Sequence, residues 1–171
     1  MMIRIARATA VLVAGAILGG CVSTADVTNS TWTSTVSADA PSSARVNPAE
    51  VLASVNSFRR SLGLAPVRVD SAVTAAARAQ SEAMARQGVM SHDAGGDFRN
   101  RLMSSGVGRA PAVENIAWGT HSFAQTMQLW IGSSKHAENM STPDMTRVGV
   151  AVVNTSRGAY WTMVMAGEAR R

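Results

Sequence analysis

Ala112–Met140 reads AVENIAWGTHSFAQTMQLWIGSSKHAENM, and the fold turns on how it is read. Val113 to Trp118 is short and apolar around Glu114 and Asn115, the pattern of a strand. Ser122-Phe123-Ala124-Gln125 is a capping box that opens a helix carrying Phe123, Met127, Leu129 and Trp130. Gly132-Ser133-Ser134 breaks that helix, and His136 falls in the turn or short helix behind it. Charged residues make up only 16% of the chain and there are three histidines, two of them in this stretch. Polar chemistry set in apolar sequence is either a satisfied core or a site.

Upstream, Asn47-Pro48-Ala49-Glu50 supplies an N-cap, a proline at the first helical position and an acid at N3. Val51, Leu52, Val55, Phe58 and Leu62 recur at helical spacing until Gly63 stops the helix. Asp70 caps a second helix, whose face of Val73, Ala76, Ala77, Ala83 and Met84 permits close packing, and Gly88 ends it. Asp97 caps a short third helix through Phe98, Leu102 and Met103, ending at Gly106. Downstream, Arg147 to Val153 alternates Val148, Val150 and Val152 against Gly149, Ala151 and Val153. A turn over Asn154 to Gly158 leads to its hairpin partner, Tyr160 to Met165. This order predicts an α+β domain with helices packed on a small antiparallel sheet.

The 171 residues allow one domain with a real core, and a hydrophobic fraction of 46% fits a globular body. The sequence pI of about 10.9 invites a nucleic-acid reading. The basic residues are scattered, however, with no stripe interleaved with aromatics, so no nucleic-acid partner is expected. Residues 1–20 read as an export leader: Arg4 and Arg7, then an apolar run over Ala8 to Leu18 too short to span a bilayer. Leu18-Gly19-Gly20-Cys21 resembles the bacterial lipoprotein box, with Cys21, the one cysteine, at the lipid attachment point. Residues 21–46 read as a lipid-anchored flexible tether rich in Ser, Thr, Ala and Asp, in which nothing explains Trp32. Residues 47–168 form the domain. The expected location is the cell envelope, on the periplasmic face or in the outer membrane.

His92, Glu114 and His136 are the polar side chains that stand out. Two imidazoles and a carboxylate suit a divalent metal with an open position, a general acid–base set, or a buried hydrogen-bonded scaffold. Paired cysteines, His-Glu-x-x-His, a nucleophile elbow, a P-loop and a dinucleotide fingerprint are all absent. Ser133 or Ser134 with His136 would make a Ser–His pair, but no oxyanion-hole motif accompanies it. His121 is expected at a helix start, exposed or capping, and Glu138 in solvent. Met84, Met90, Met127, Met163 and Met165 are candidates to line an adaptable apolar pocket.

Ser91-His92-Asp93, Glu114-Asn115-Ile116-Ala117, Trp130 with His136 and Asn139, Val148-Gly149-Val150 and Tyr160-Trp161-Thr162 together resemble the CAP superfamily. This superfamily, also called SCP-like, includes cysteine-rich secretory proteins, venom antigens and plant pathogenesis-related proteins. The likeness covers roughly Asn47 to Ala166 and is to the compact, cysteine-free bacterial branch. It implies an α-β-α sandwich, a small antiparallel sheet flanked by about four helices. It also implies a central cavity in which two His and two Glu hold Zn or another divalent cation. His92, Glu114 and His136 match three of those positions. Ser133 stands at the fourth, Val113 replaces the usual Gly before the Glu-Asn motif, and Met90 replaces the aromatic before Ser-His, so weak metal binding is expected. Family uses are diverse. The expectation is a non-enzymatic, lipid-anchored module that binds a small hydrophobic ligand, an envelope component or a partner protein. The alternative is a metal-assisted hydrolase acting on an envelope peptide or ester, with Glu114 as base.

Overall fold

The computed structural model describes residues 43–169. The expected leader, Cys21, Trp32 and all but the last residues of the expected tether lie outside them. Asn47 caps α1 (Pro48–Ser61), its side chain accepting from the Ala49 N–H, and Asp70 caps α2 (Ser71–Gln87) through the Val73 N–H. Between them lies a two-residue strand, β1 (Arg68–Val69). Asp97 caps α3 (Phe98–Ser104) through the Asn100 N–H. Then follow β2 (Ala112–Trp118), α4 (Phe123–Gly132) capped by Ser122, and α5 (Ser134–Met140). The chain closes with the hairpin β3 (Arg147–Thr155) and β4 (Gly158–Ala166). Gly88, the α2 stop, takes the left-handed conformation expected of such a position at φ 67°.

The sheet order is β1-β3-β4-β2. β4 pairs antiparallel with both β3 and β2, Glu114 opposite Val164 and Ile116 opposite Thr162. Two features differ from the expected arrangement. The sheet is mixed rather than antiparallel, because β1 adds to β3 in parallel through Arg68↔Arg147 and Val69↔Val148. The described residues also contain five helices rather than about four, His136 lying on α5. A two-residue strand has no periodicity to detect, and α5 is a single short segment behind a Gly-Ser-Ser break.

Both faces of the sheet are covered, as in an α-β-α sandwich. On one face Val51 and Val55 of α1 and Phe123, Met127 and Trp130 of α4 bury with Val148, Val150, Trp161, Met163 and Met165. On the other, Val73, Ala76 and Ala77 of α2 and Leu102 of α3 bury with Ala151 and Val164. Met84, Ile116 and Tyr160 continue this second face toward the far end of β2. Alternation along β2 thus puts Glu114, Ile116 and Trp118 on the α2 side and Val113, Asn115 and Ala117 on the other. The methionines are split accordingly. Met84 packs in one cluster and Met127, Met163 and Met165 in another, while Met90 is 58% exposed, so the five do not line one pocket.

α2 meets β3 backbone to backbone at Gly149, where an added Cβ would lie 2.5 Å from the Cα of Thr74. Packing starts upstream of Asn47: Ala44 is buried and its carbonyl accepts from Asn154 Nδ2 on β3. Arg59 of α1 is fully buried. Its guanidinium donates to the carbonyls of Ala65, Met140, Thr142, Pro143 and Met145 at 2.8–3.3 Å.

Candidate functional site

β2 is an edge strand, and the candidate site is built around its first half. The Glu114 side chain is only 4% exposed. One oxygen accepts from Arg101 Nη2 of α3 at 2.5 Å, and the other lies 2.8 Å from His92 Nδ1. Arg101 is equally buried, so this is an ion pair shielded from water.

His92 lies in the turn after α2, and two buried side chains fix that turn. Gln80 donates to the carbonyls of Ser91 and His92 and accepts the Gly95 N–H. Arg101 Nη1 donates to the carbonyls of His92 and Gly96. Gly95 permits this crowding, since a Cβ there would come within 2.6 Å of Gln80 Oε1 and 2.8 Å of Arg101 Cδ. The backbone is therefore held while the imidazole of His92 stays 56% exposed. With Nδ1 turned to the carboxylate, the ring's other nitrogen is left for an external partner.

His136 reaches the site from α5, which is bonded along the free edge of β2. Asn139 Nδ2 donates to the Glu114 carbonyl at 3.0 Å and to Asn115 Oδ1 at 2.8 Å, and Asn115 Nδ2 donates back to the His136 carbonyl. Trp130 Nε1 donates to the Ile116 carbonyl. These bonds occupy an edge that would otherwise invite another strand. Burial holds the His136 imidazole below its ordinary pKa, and the neighbouring His92 adds to the effect. His136 Nδ1 is buried without a hydrogen-bond partner, so it forms no Ser–His pair through that atom. Ser133, the junction of α4 and α5, makes no side-chain cap bond. His121 and Glu138 are exposed.

The three residues singled out in the sequence thus converge on β2, with Glu114 central. Among the described residues no three His, Cys, Asp or Glu side chains are grouped so as to hold a metal ion. Glu114 has each oxygen committed to a protein partner, which leaves the two imidazoles as donors. That set fits a resident metal centre poorly, since catalytic and structural sites of this kind offer three or four ligands.

Sequence reasoning missed Arg101 and Gln80. A signal was available: Arg101 shares a helix face with Phe98 and Leu102, and Gln80 one with Ala76, Ala77 and Met84. A polar side chain on an apolar stripe needs a buried partner.

An α-β-α sandwich whose edge strand carries Glu-Asn between two histidines defines a class, and the sequence agrees. The profile of the cysteine-rich secretory protein family matches residues 52–165, and the chain belongs to that family, also called CAP. It is 30% identical over 148 residues to the uncharacterized protein YkwD of Bacillus subtilis, matching 85% of this chain and 54% of that one. The chain therefore spans about half the length of that curated relative. An extracellular SCP-domain protein of Bacillus anthracis superimposes with a TM-score of 0.63 at 25% identity, over 70% of this chain and 40% of the other. An outer surface protein of Borrelia burgdorferi shares the fold at 13% identity and TM-score 0.63, over 77% of this chain and 99% of its own.

Proposed function

We propose that this chain is an exported, lipid-anchored protein of the cell envelope whose CAP domain binds its target without transforming it. The observation that carries this reading is the state of Glu114: buried, with one oxygen on Arg101 and the other on His92. A carboxylate that served as base or metal ligand would turn an oxygen to the cavity. Glu114 instead orients His92, and His92 with His136 offers a divalent cation such as Zn only weak, two-imidazole binding. A small hydrophobic ligand has a place to lodge in a groove of about 490 Å³ between α1 and α4 lined by Phe58, Met127 and Ile131. Export and anchoring rest on the leader and Cys21, and they accord with similar proteins described as extracellular and outer-surface. Among the described residues no helix is long and apolar enough to cross a membrane.

One observation favours a second reading, hydrolysis of an envelope peptide or ester. The Glu114–His92 pair leaves the outer imidazole nitrogen facing solvent, as a general base requires. Turnover of peptide and ester libraries by wild type and His92→Ala separates the two. Binding predicts no difference, alongside a co-bound molecule in native mass spectra of protein purified from membranes. Turnover abolished by His92→Ala would overturn it. Cys21→Ser should move the protein out of the membrane fraction.

A further inference from the structure

Some distance along the same face of β2 from Glu114, the strand ends in a notch of about 240 Å³ formed by Gly88, Met90, Trp118, Arg157 and Tyr160. Trp118 is 48% exposed and Met90 58%, while Tyr160 is buried as the floor. The Trp118 and Tyr160 rings are tilted by 48° with centroids 6.4 Å apart, giving two aromatic walls. Each upper wall is seated on a glycine. The guanidinium of Arg157 occupies the space where a side chain on Gly88 would go. The indole of Trp118 lies against Gly158, 3.2 Å from where its Cβ would be. Gly88 ends α2, so the cation also faces the negative pole of that helix, which helps hold it there.

Polar satisfaction gives the second observation. The buried indoles of Trp130 and Trp161 both donate to backbone carbonyls. Among the described residues, no partner is found for the Trp118 indole N–H or the Tyr160 hydroxyl, and Arg157 has no carboxylate partner. Tyr160 lines the notch, and its hydroxyl is not among the fully enclosed unpaired atoms. The notch therefore presents a cation, two neutral hydroxyl or N–H groups and flat aromatic faces, with no acid. It calls for a ligand that brings oxygen acceptors, negative charge and a ring to stack. At this volume, below that of pockets for drug-sized molecules, it accommodates a single ring.

We infer that this notch binds a carboxylated sugar of an envelope glycan, the ring against Trp118 and the carboxylate on Arg157. The choice of a glycan rests on the envelope reading above; the anionic, ring-stacking chemistry does not.

The test is a titration of the full chain, labelled with ¹⁵N-tryptophan, with trigalacturonate, using galactotriose, a tri-glutamate peptide and inorganic phosphate as comparators. Trp118→Phe assigns the indole resonance. Trigalacturonate should shift the Trp118 indole signal, Arg157→Gln should weaken that binding about tenfold, the loss of one charge-assisted contact, and the comparators should bind far more weakly. His92→Ala should leave the affinity unchanged, which separates this site from the one at Glu114. Equal binding of galactotriose, of the peptide or of phosphate would overturn the assignment, as would an Arg157→Gln variant that binds like wild type. Arg157 is exposed, so loss of folding does not confound the result.

Discussion

Replacing Arg101 by Met should be among the most damaging changes in the domain. The substitution keeps an unbranched side chain but leaves Glu114, 4% exposed, without its cation. It also removes the donor to the carbonyls of His92 and Gly96. Breaking one side of a buried ion pair costs about 3–5 kcal/mol, because the remaining charge is desolvated and uncompensated. Glu114→Gln keeps the shape of the carboxyl group and should cost a similar amount, for the converse reason. In the double variant no unpaired charge remains at either position. Its loss should fall short of the summed single losses by roughly 1–3 kcal/mol. For a domain of this size each kcal/mol moves the melting temperature by roughly 3–5 °C. Arg101→Met should therefore melt about 9–25 °C below wild type. Urea unfolding followed by tryptophan fluorescence on wild type, both single variants and the double supplies the full cycle. Additivity within about 0.5 kcal/mol, or a loss below about 1 kcal/mol for Arg101→Met, would refute the claim that the pair organises the site.

Other expectations follow from the same packing. The fold favours neutral His136, and its imidazole is held below the ordinary value of 6.5. Stability should therefore be full above pH 6.5 and decline as the pH falls below it, because the unfolded chain takes up the proton first. Urea midpoints measured between about pH 8 and about pH 5 should show this slope, and His136→Asn should flatten it. Gly149→Ala drives a methyl into the backbone of Thr74, which has no flexible end to yield. A loss of about 3 kcal/mol or more is expected, read from urea unfolding or from insoluble expression. Asn139→Ala releases two of the three bonds described between α5 and β2. Its global cost should be about 1–2 kcal/mol, while amide exchange in α5 accelerates well beyond that of α2.

What could be read from the sequence follows how far each cause reaches along the chain. Asn47, Asp70, Asp97 and Ser122 were legible as caps because each satisfies N–H groups two or three residues away. The hairpin was legible because period-two alternation and a Gly-containing turn are local too. Glu114 and His136 stand out in the sequence as polar residues in apolar surroundings, and His92 as a polar residue just past the end of a helix. Arg101 is paired 13 residues away and Gln80 bonds 11 to 15 residues away, so neither announced its role. β1 exists only because β3 arrives some 80 residues later to receive it, and no local pattern encodes that pairing.

The Arg59 clamp bears on the order in which the domain can form. Apart from the Ala65 carbonyl nearby, its acceptors lie 81–86 residues further along the chain. Until Met145 has emerged, α1 carries a cation on the face it must bury, which bars that helix from early collapse onto a partial sheet. At about 5–20 residues per second of synthesis, that interval is roughly 4–17 s. The buried guanidinium thus makes the packing of α1 depend on the segment after α5, joining the first helix of the domain to a loop far along the chain.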